Sequence, residues 1–171
     1  MAMQYDVLSA HVNVSSQAVV GRTRVKGIIV TAAASAGYLY LWDSTAAPVS
    51  VTYARNSAGV ITVTHNSHGF SMGQMVGLVL GAGTGGQGTT GNYKILTVTT
   101  NTYTVQDINT GAITAGAAGL EASRWLTTID TAAVTSGAQA FFTPIPGEGL
   151  LSYNGIYVTV SNLTGVTLFY G

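Results

Sequence analysis

The segment from Gly155 to Ser161 reads GIYVTVS, with Ile156, Val158 and Val160 alternating against Tyr157, Thr159 and Ser161. An apolar residue at every second position turns one face to a core and the other to water, which is the mark of a half-buried strand. Outward from it, short runs rich in Val, Ile, Thr and Tyr recur about every 8 to 15 residues between Gly, Asn and Ser, and helical periodicity is nearly absent. YDVLSAHVNVSS (5–16), RTRVKGIIVTA (22–32) and GYLYLWDS (37–44) form a first group of strands. RWLTTID (124–130), AQAFFTPI (138–145), GLLSY (149–153), GIYVTVS (155–161) and GVTLFYG (165–171) form a last group. The chain reads as all-β.

Between these groups, from about Val49 to Gly119, the texture becomes denser in Gly, Thr and Asn. The region opens with a hairpin signal, VSVTYARNSAGVITVTH, in which two alternating runs flank RNSAG. QMVGLVL (74–80), NYKILTVTT (92–100) and TYTVQDI (102–108) supply three more strands, and the small-residue segment TGAITAGAAG (110–119) leads back to RWLTTID. The expected architecture is a jelly-roll-like β-sandwich built from both chain ends, residues 1–48 and 120–171. A small β-barrel module, residues 49–119, sits in one of its loops, where insertions are tolerated if the guest's termini lie close together.

The 171 residues suffice for one domain or two small ones, and 47% hydrophobic content fills a real core. Charge is the unusual figure: six Lys or Arg and six Asp or Glu make up 7% of the chain, against about 25% in soluble domains. A surface this poor in charge is weakly protected against association, so copies of itself or a partner are expected to cover much of it. A net charge of zero offers no footprint for nucleic acid or anionic membrane. The absence of cysteine excludes disulfides and thiolate chemistry. The apolar stretch Val25–Trp42 is broken by Lys26, Gly27, Thr31, Ser35 and Gly37, which makes it two strands and a turn rather than a membrane span.

HNSHGFSMG (65–73) carries two of the three histidines, at a spacing that would share one face of a helix. Its Asn, Ser and Gly oppose a helix, and the nearest carboxylates in sequence, Asp43 and Asp107, are far away, whereas a zinc site needs three or four ligands. The stretch is read as a structural turn in which Gly69 and Gly73 supply backbone freedom. GAGTGG (81–86) matches GxGxxG but runs into QGTTGNYKILTV, another strand, so no helix amino terminus meets a phosphate. Arg22, Arg24 and Lys26 alternate in RTRVKG and share a strand face, either a solvated face that discourages pairing or an anchor for acidic groups on a partner. Asp6, Asp43, Asp107, Glu121, Asp130 and Glu148 are scattered singly, which does not suit acid–base catalysis. The nine tyrosines fit a sugar platform or ordinary cores and interfaces equally well. In PIPGEGLL (144–151), Pro144 and Pro146 fix the backbone, Gly147 and Gly149 permit a sharp turn, and Glu148 is expected to be solvated.

GRTRVKGIIVTAAASAGYLYLWDS, followed much later by IPGEGLLSYNGIYVTVSNLTGVTLFYG, resembles small virion structural proteins of tailed bacteriophages. The resemblance covers roughly residues 19–44 and 124–171. It implies a capsid-decorating or other particle-associated component with no catalytic residues to carry over. GVITVTHNSHGFSMGQMVGLVLG with GNYKILTVTTNTYTV is similar to a second phage module, one described by its likeness to the first catalytic cysteine half-domain of ubiquitin-activating enzymes. Without cysteine this implies a small β-barrel and no ubiquitin chemistry. His68, Gly69, Phe70, Ser71 and Gly73 fall on the shared turn, with the imidazole expected to bond local backbone. Gln74 stands where an acidic residue is usual, and His65 lies outside the pattern.

Residues and resemblance together lead to the expectation of a capsid decoration or cement protein on the virion exterior, made in the host cytoplasm. It is expected to bind the major capsid protein or other virion proteins and to form a dimer or trimer. Nucleic acid, membrane, metal, cofactor and enzymatic activity are not expected. A tail, baseplate or fibre-associated component, and a carbohydrate- or host-surface-binding module, are the alternatives.

Overall fold

A computed structural model describes residues 7–135, 137 and 139–171. Among the described residues the chain holds strands and no helix, and it divides into two compact units, 1–47 with 126–171 and 48–125.

The first unit is a β-sandwich built from both chain ends. One sheet runs in the order β1 (Leu8–Val12), β18 (Leu163–Tyr170), β3 (Thr23–Ala32), β15 (Gln139–Pro144), with β16 (Leu150–Ser152) also paired to β3. The other runs β14 (Trp125–Thr131), β4 (Gly37–Asp43), β17 (Gly155–Ser161), β2 (Ser16–Val20). Val25, Ile28, Val30, Val166 and Leu168 from the first sheet meet Val19, Leu39, Leu41, Ile156 and Val158 from the second in one core. The inward positions skip from Val25 to Ile28 because the β3–β18 register shifts between Phe169 and Tyr170, opposite Val25–Gly27. The pattern read at Gly155–Ser161 is present as β17, with Ile156 and Val158 fully buried.

The second unit is a seven-stranded antiparallel sheet that curls into a half-barrel around its own core. Its order is β10 (Gly91–Lys94), β7 (Met75–Leu80), β13 (Ile113–Ala122), β5 (Val49–Arg55), β6 (Val60–Thr64), β12 (Thr102–Gln106), β11 (Thr97–Val98). GAGTGG contributes a separate two-stranded hairpin, β8 (Ala82–Gly83) with β9 (Gly86–Gln87). Tyr53, Ile61, Val63, Leu78, Leu80, Ile95, Tyr103 and Val105 fill the inside.

Some boundaries differ from the sequence reading. From Ile113 on, TGAITAGAAG is the first part of β13, a ten-residue strand between β5 and β7, and not a connecting segment. Its residues have weak strand preference, but the small ones fit here: a Cβ at Gly119 would press on Leu80 and Val51. Because β13 continues to Ala122, the structural boundary lies at Trp125/Leu126 rather than at Gly119/Leu120. The expected strand 5–16 ends as β1 at Val12, and SQAVV, of which only Ser16 falls in an expected strand, forms β2; NYKILTVTT is interrupted into β10 and β11. Of the expected first strand, Tyr5 and Asp6 lie outside the described residues, as does Asp6 among the candidate carboxylates and Ala138 at the head of AQAFFTPI.

Candidate functional site

The histidine turn is fixed by two opposed hydrogen bonds. His68 Nδ1 accepts from the Phe70 backbone N–H at 3.0 Å, and Nε2 lies 3.2 Å from the Thr102 carbonyl oxygen. The first contact needs a bare Nδ1 and the second a protonated Nε2, so the neutral Nε2–H tautomer satisfies both and occupies both ring nitrogens. Gly69 and Gly73 have φ of +68° and +87°, a region that other residues enter at a cost. The His68 ring stacks on Phe70 and meets Tyr103 edge-on.

His65 is part of a buried polar centre in the same unit. Its Nδ1 lies 3.0 and 3.1 Å from the two carboxylate oxygens of Glu121, and the Tyr103 hydroxyl donates to Glu121 Oε2 at 2.7 Å. Glu121 and Tyr103 are both buried. Burial, joined by the Glu121 charge and hydrogen bond, pushes the Tyr103 phenol far above its ordinary value, so it remains a donor. In the sequence His65 lies outside the shared turn pattern; the fold makes it the imidazole beside a buried carboxylate, because β13 brings Glu121 within reach of the end of β6.

A second centre joins Arg55 at the end of β5 to Asp107 after β12, at 2.6 Å and with both side chains buried. The guanidinium also donates to the carbonyls of Gly111 (2.8 Å), Thr110 (3.2 Å) and Gln87 (3.4 Å). Asp107 accepts from the backbone N–H groups of Thr89 and Asn109. Burial works to raise the Asp107 pKa, but the donors from Thr89, Arg55 and Asn109 outweigh it and hold the carboxyl below its ordinary value. Burial, with the Asp107 charge, pushes the neighbouring Tyr93 phenol up to about 12. The pair therefore staples the end of β9 with Thr89, and the 107–111 loop, to the sheet.

In the sandwich, Asp43 at the end of β4 is buried and gathers the turn before β17. It accepts from the backbone N–H groups of Tyr153 (3.1 Å) and Asn154 (2.8 Å) and from the Asn154 amide, while the Ser152 hydroxyl lies 2.9 Å away. Asp43, Asp107 and Glu121, scattered in sequence, thus become local anchors, each met by its own donors.

The cationic strand face is partly consumed within the unit. Arg24 pairs with Glu148 at 3.0 Å, and Lys26 donates to the Glu148 carbonyl at 2.8 Å. Glu148 is 81% exposed, so it is solvated and paired at once, and such an ion pair contributes at most about 1 kcal/mol. Arg22 is exposed, with its guanidinium 6.0 Å from the Tyr153 ring centre. Arg22, Thr23, Arg24, Leu151 and Gly171 line a shallow depression of about 150 Å³. Gly147 and Gly149 adopt φ of +68° and +84°, and a Cβ at Gly149 would collide with the Val25 carbonyl.

What remains accessible is apolar and hydroxyl-rich β-surface. Val20, Phe142 and Tyr153 in the sandwich, and Met72, Met75 and Ile108 in the second unit, are each more than half exposed. Among the described residues no group of three His, Asp or Glu side chains is placed to hold a metal ion. The geometry suits contact through strand edges and faces. No protein-family model, curated protein or solved structure matches the chain in the three comparisons made.

Proposed function

We propose that this chain is a structural component of a bacteriophage particle, a decoration or cement protein that binds the major capsid lattice and stabilises it. The observation that carries the reading is the resemblance at GRTRVKGI and IPGEGLLSYNGIYVTVSNLTGVTLFYG. Two features support it. The surface is poor in charge and carries exposed apolar side chains, which suits a protein that spends its life assembled. The buried ionisable groups are engaged in holding turns and in tying strands together, which suits a rigid building block.

In this role the sandwich docks on the lattice and the inserted unit projects from it or bridges to a neighbour. Contacts that are individually weak then sum over many copies through avidity. Arg22, with the Arg24 and Lys26 face, is the basic contact for acidic groups on the capsid.

Imaging intact particles with copies of the chain located is the test. The expected result is copies spread over the capsid exterior, with capsids losing heat or salt resistance when the protein is stripped. Copies confined to one vertex would move the assignment to the tail. Affinity of the isolated chain for polysaccharide, abolished by Tyr93→Ala, would move it to host-surface binding; Trp42 is fully buried and offers no ring face to a sugar.

A further inference from the structure

Sheets that end in open edges invite pairing with other chains, and proteins blunt such edges with charge, bulges, Pro or very short strands. Among the described strands the edges of both units are mostly treated in this way. β14 carries Asp130, β2 meets β17 with a register shift, β10 ends at Lys94, and β11 has two residues. The β16 end of the β3 margin is flanked by Arg24, Lys26 and Glu148.

β15 has none of these before Pro144 at its end. It pairs with β3 from Gln139 to Pro144 without a register shift. No charged residue lies between Asp130 and Glu148 in the sequence. Phe142 is 56% exposed, and Phe141 is 38% exposed although its register partner Val30 is fully buried on the core side. The core is therefore uncovered at this margin.

The direction of the free backbone groups follows from one bond. The Ile145 N–H donates to the Lys26 carbonyl at 3.0 Å and so points at β3. Alternation along an antiparallel strand then points residues 139, 141 and 143 at β3, and turns the N–H and C=O groups of Ala140 and Phe142 outward. Pro144 takes the next outward position, where no N–H is needed, and ends the usable edge.

We propose that β15 is a self-pairing edge, at which two copies of this chain join antiparallel about a two-fold axis through Phe141. In that register Ala140 of one copy opposes Phe142 of the other, and all the outward groups of both residues are used. A register centred on Phe142 would set Ala140 against Pro144 and leave the Ala140 carbonyl oxygen of each copy without a donor. Phe141 meets Phe141 of the second copy as a close, non-hydrogen-bonded pair, closing the open margin of both cores. A second copy fits better than a charged partner: an acidic or basic strand finds no countercharge between residues 131 and 147, and an uncharged strand on a chain of zero net charge repels nothing when it meets itself.

The inference rests on the reading of the chain as a self-assembling component, and it is tested on the isolated chain so that it can fail while particle binding stands. Sedimentation velocity over a concentration series is expected to show a monomer–dimer equilibrium, weakened at least tenfold by Ala140→Lys, an exposed position that leaves the fold intact by circular dichroism. The chain has no cysteine, so Phe141→Cys is expected to give a disulfide-linked dimer on mild oxidation, because the facing Cα atoms lie within bridging range. Val20→Cys, on β2 and 79% exposed, is expected not to. A chain that stays monomeric, an oligomer that Ala140→Lys leaves unchanged, or equal cross-linking of the two cysteine variants would each overturn the proposal.

Discussion

Removing the Arg55 guanidinium is expected to unfold the inserted unit selectively. Arg55→Met keeps much of the side-chain volume but leaves Asp107, fully buried, without its countercharge. Stranding one member of a buried ion pair costs about 3–5 kcal/mol. The three carbonyls that Arg55 also serves belong to exposed residues, Gly111, Thr110 and Gln87, and regain water, so they add little. Asp107→Leu should cost a similar amount, since it strands Arg55 and orphans the N–H groups of Thr89 and Asn109. The double variant Arg55→Met, Asp107→Leu removes both charges and retains mainly the two orphaned N–H groups, at about 1 kcal/mol each. It should therefore be destabilised by about 2 kcal/mol, less than either single change. Hydrogen exchange read by mass spectrometry resolves the units, which have separate cores. For Arg55→Met, peptides from 49–122 are expected to exchange about a thousandfold faster, at 1.4 kcal/mol per tenfold, while peptides covering Val25–Val30 and Ile156–Val158 keep their protection. A loss below about 1 kcal/mol, or a double variant as damaged as the sum of the singles, would refute the buried-pair reasoning.

The same pair sets an acid limit on the inserted unit. Because the folded Asp107 pKa lies below its ordinary value of 3.8, its contribution is complete above that value and is lost as pH falls through the folded pKa. Urea midpoints of the unit should fall below about pH 4, and less steeply in the double variant. Tyr103→Phe removes a donor from buried Glu121 and is expected to destabilise the unit by about 1–3 kcal/mol, measured by urea unfolding. Gly147→Ala and Gly149→Ala both place a side chain at positive φ, but only Gly149 faces a backbone atom. Thermal unfolding should show a cost of about 1 kcal/mol for the first and clearly more for the second.

Much of the sandwich was legible because its core residues alternate within single strands. β3, β4, β17 and β18 each carry an apolar set that the pleat must place on one face. β13 was not legible. Alanine and glycine report neither period nor preference, and only the neighbours Leu80 and Val51 show why small residues are needed there. The turn at His68 was readable from its glycines and polar residues, whereas the role of His65 was not. His65 acts through Glu121, 56 residues away, and nothing local to HNSHGFSMG names that partner. Arg24 and Lys26 were read as one face, but their pairing with the Glu148 turn depends on β15 and β16 returning along β3. The free edge at β15 left one trace in the sequence, the uncharged run from Thr131 to Gly147.

The sequence alone determined the all-β class, the building of one unit from both chain ends, and the poverty of charge, because periodicity, glycine-rich turns and composition are properties of neighbouring residues. The tertiary structure decided which lone carboxylate meets which donor, which strand lies at a margin, and which of two adjacent histidines faces a buried charge. These depend on register between strands far apart in the chain, and a shift of one residue would turn each of those side chains to the opposite face.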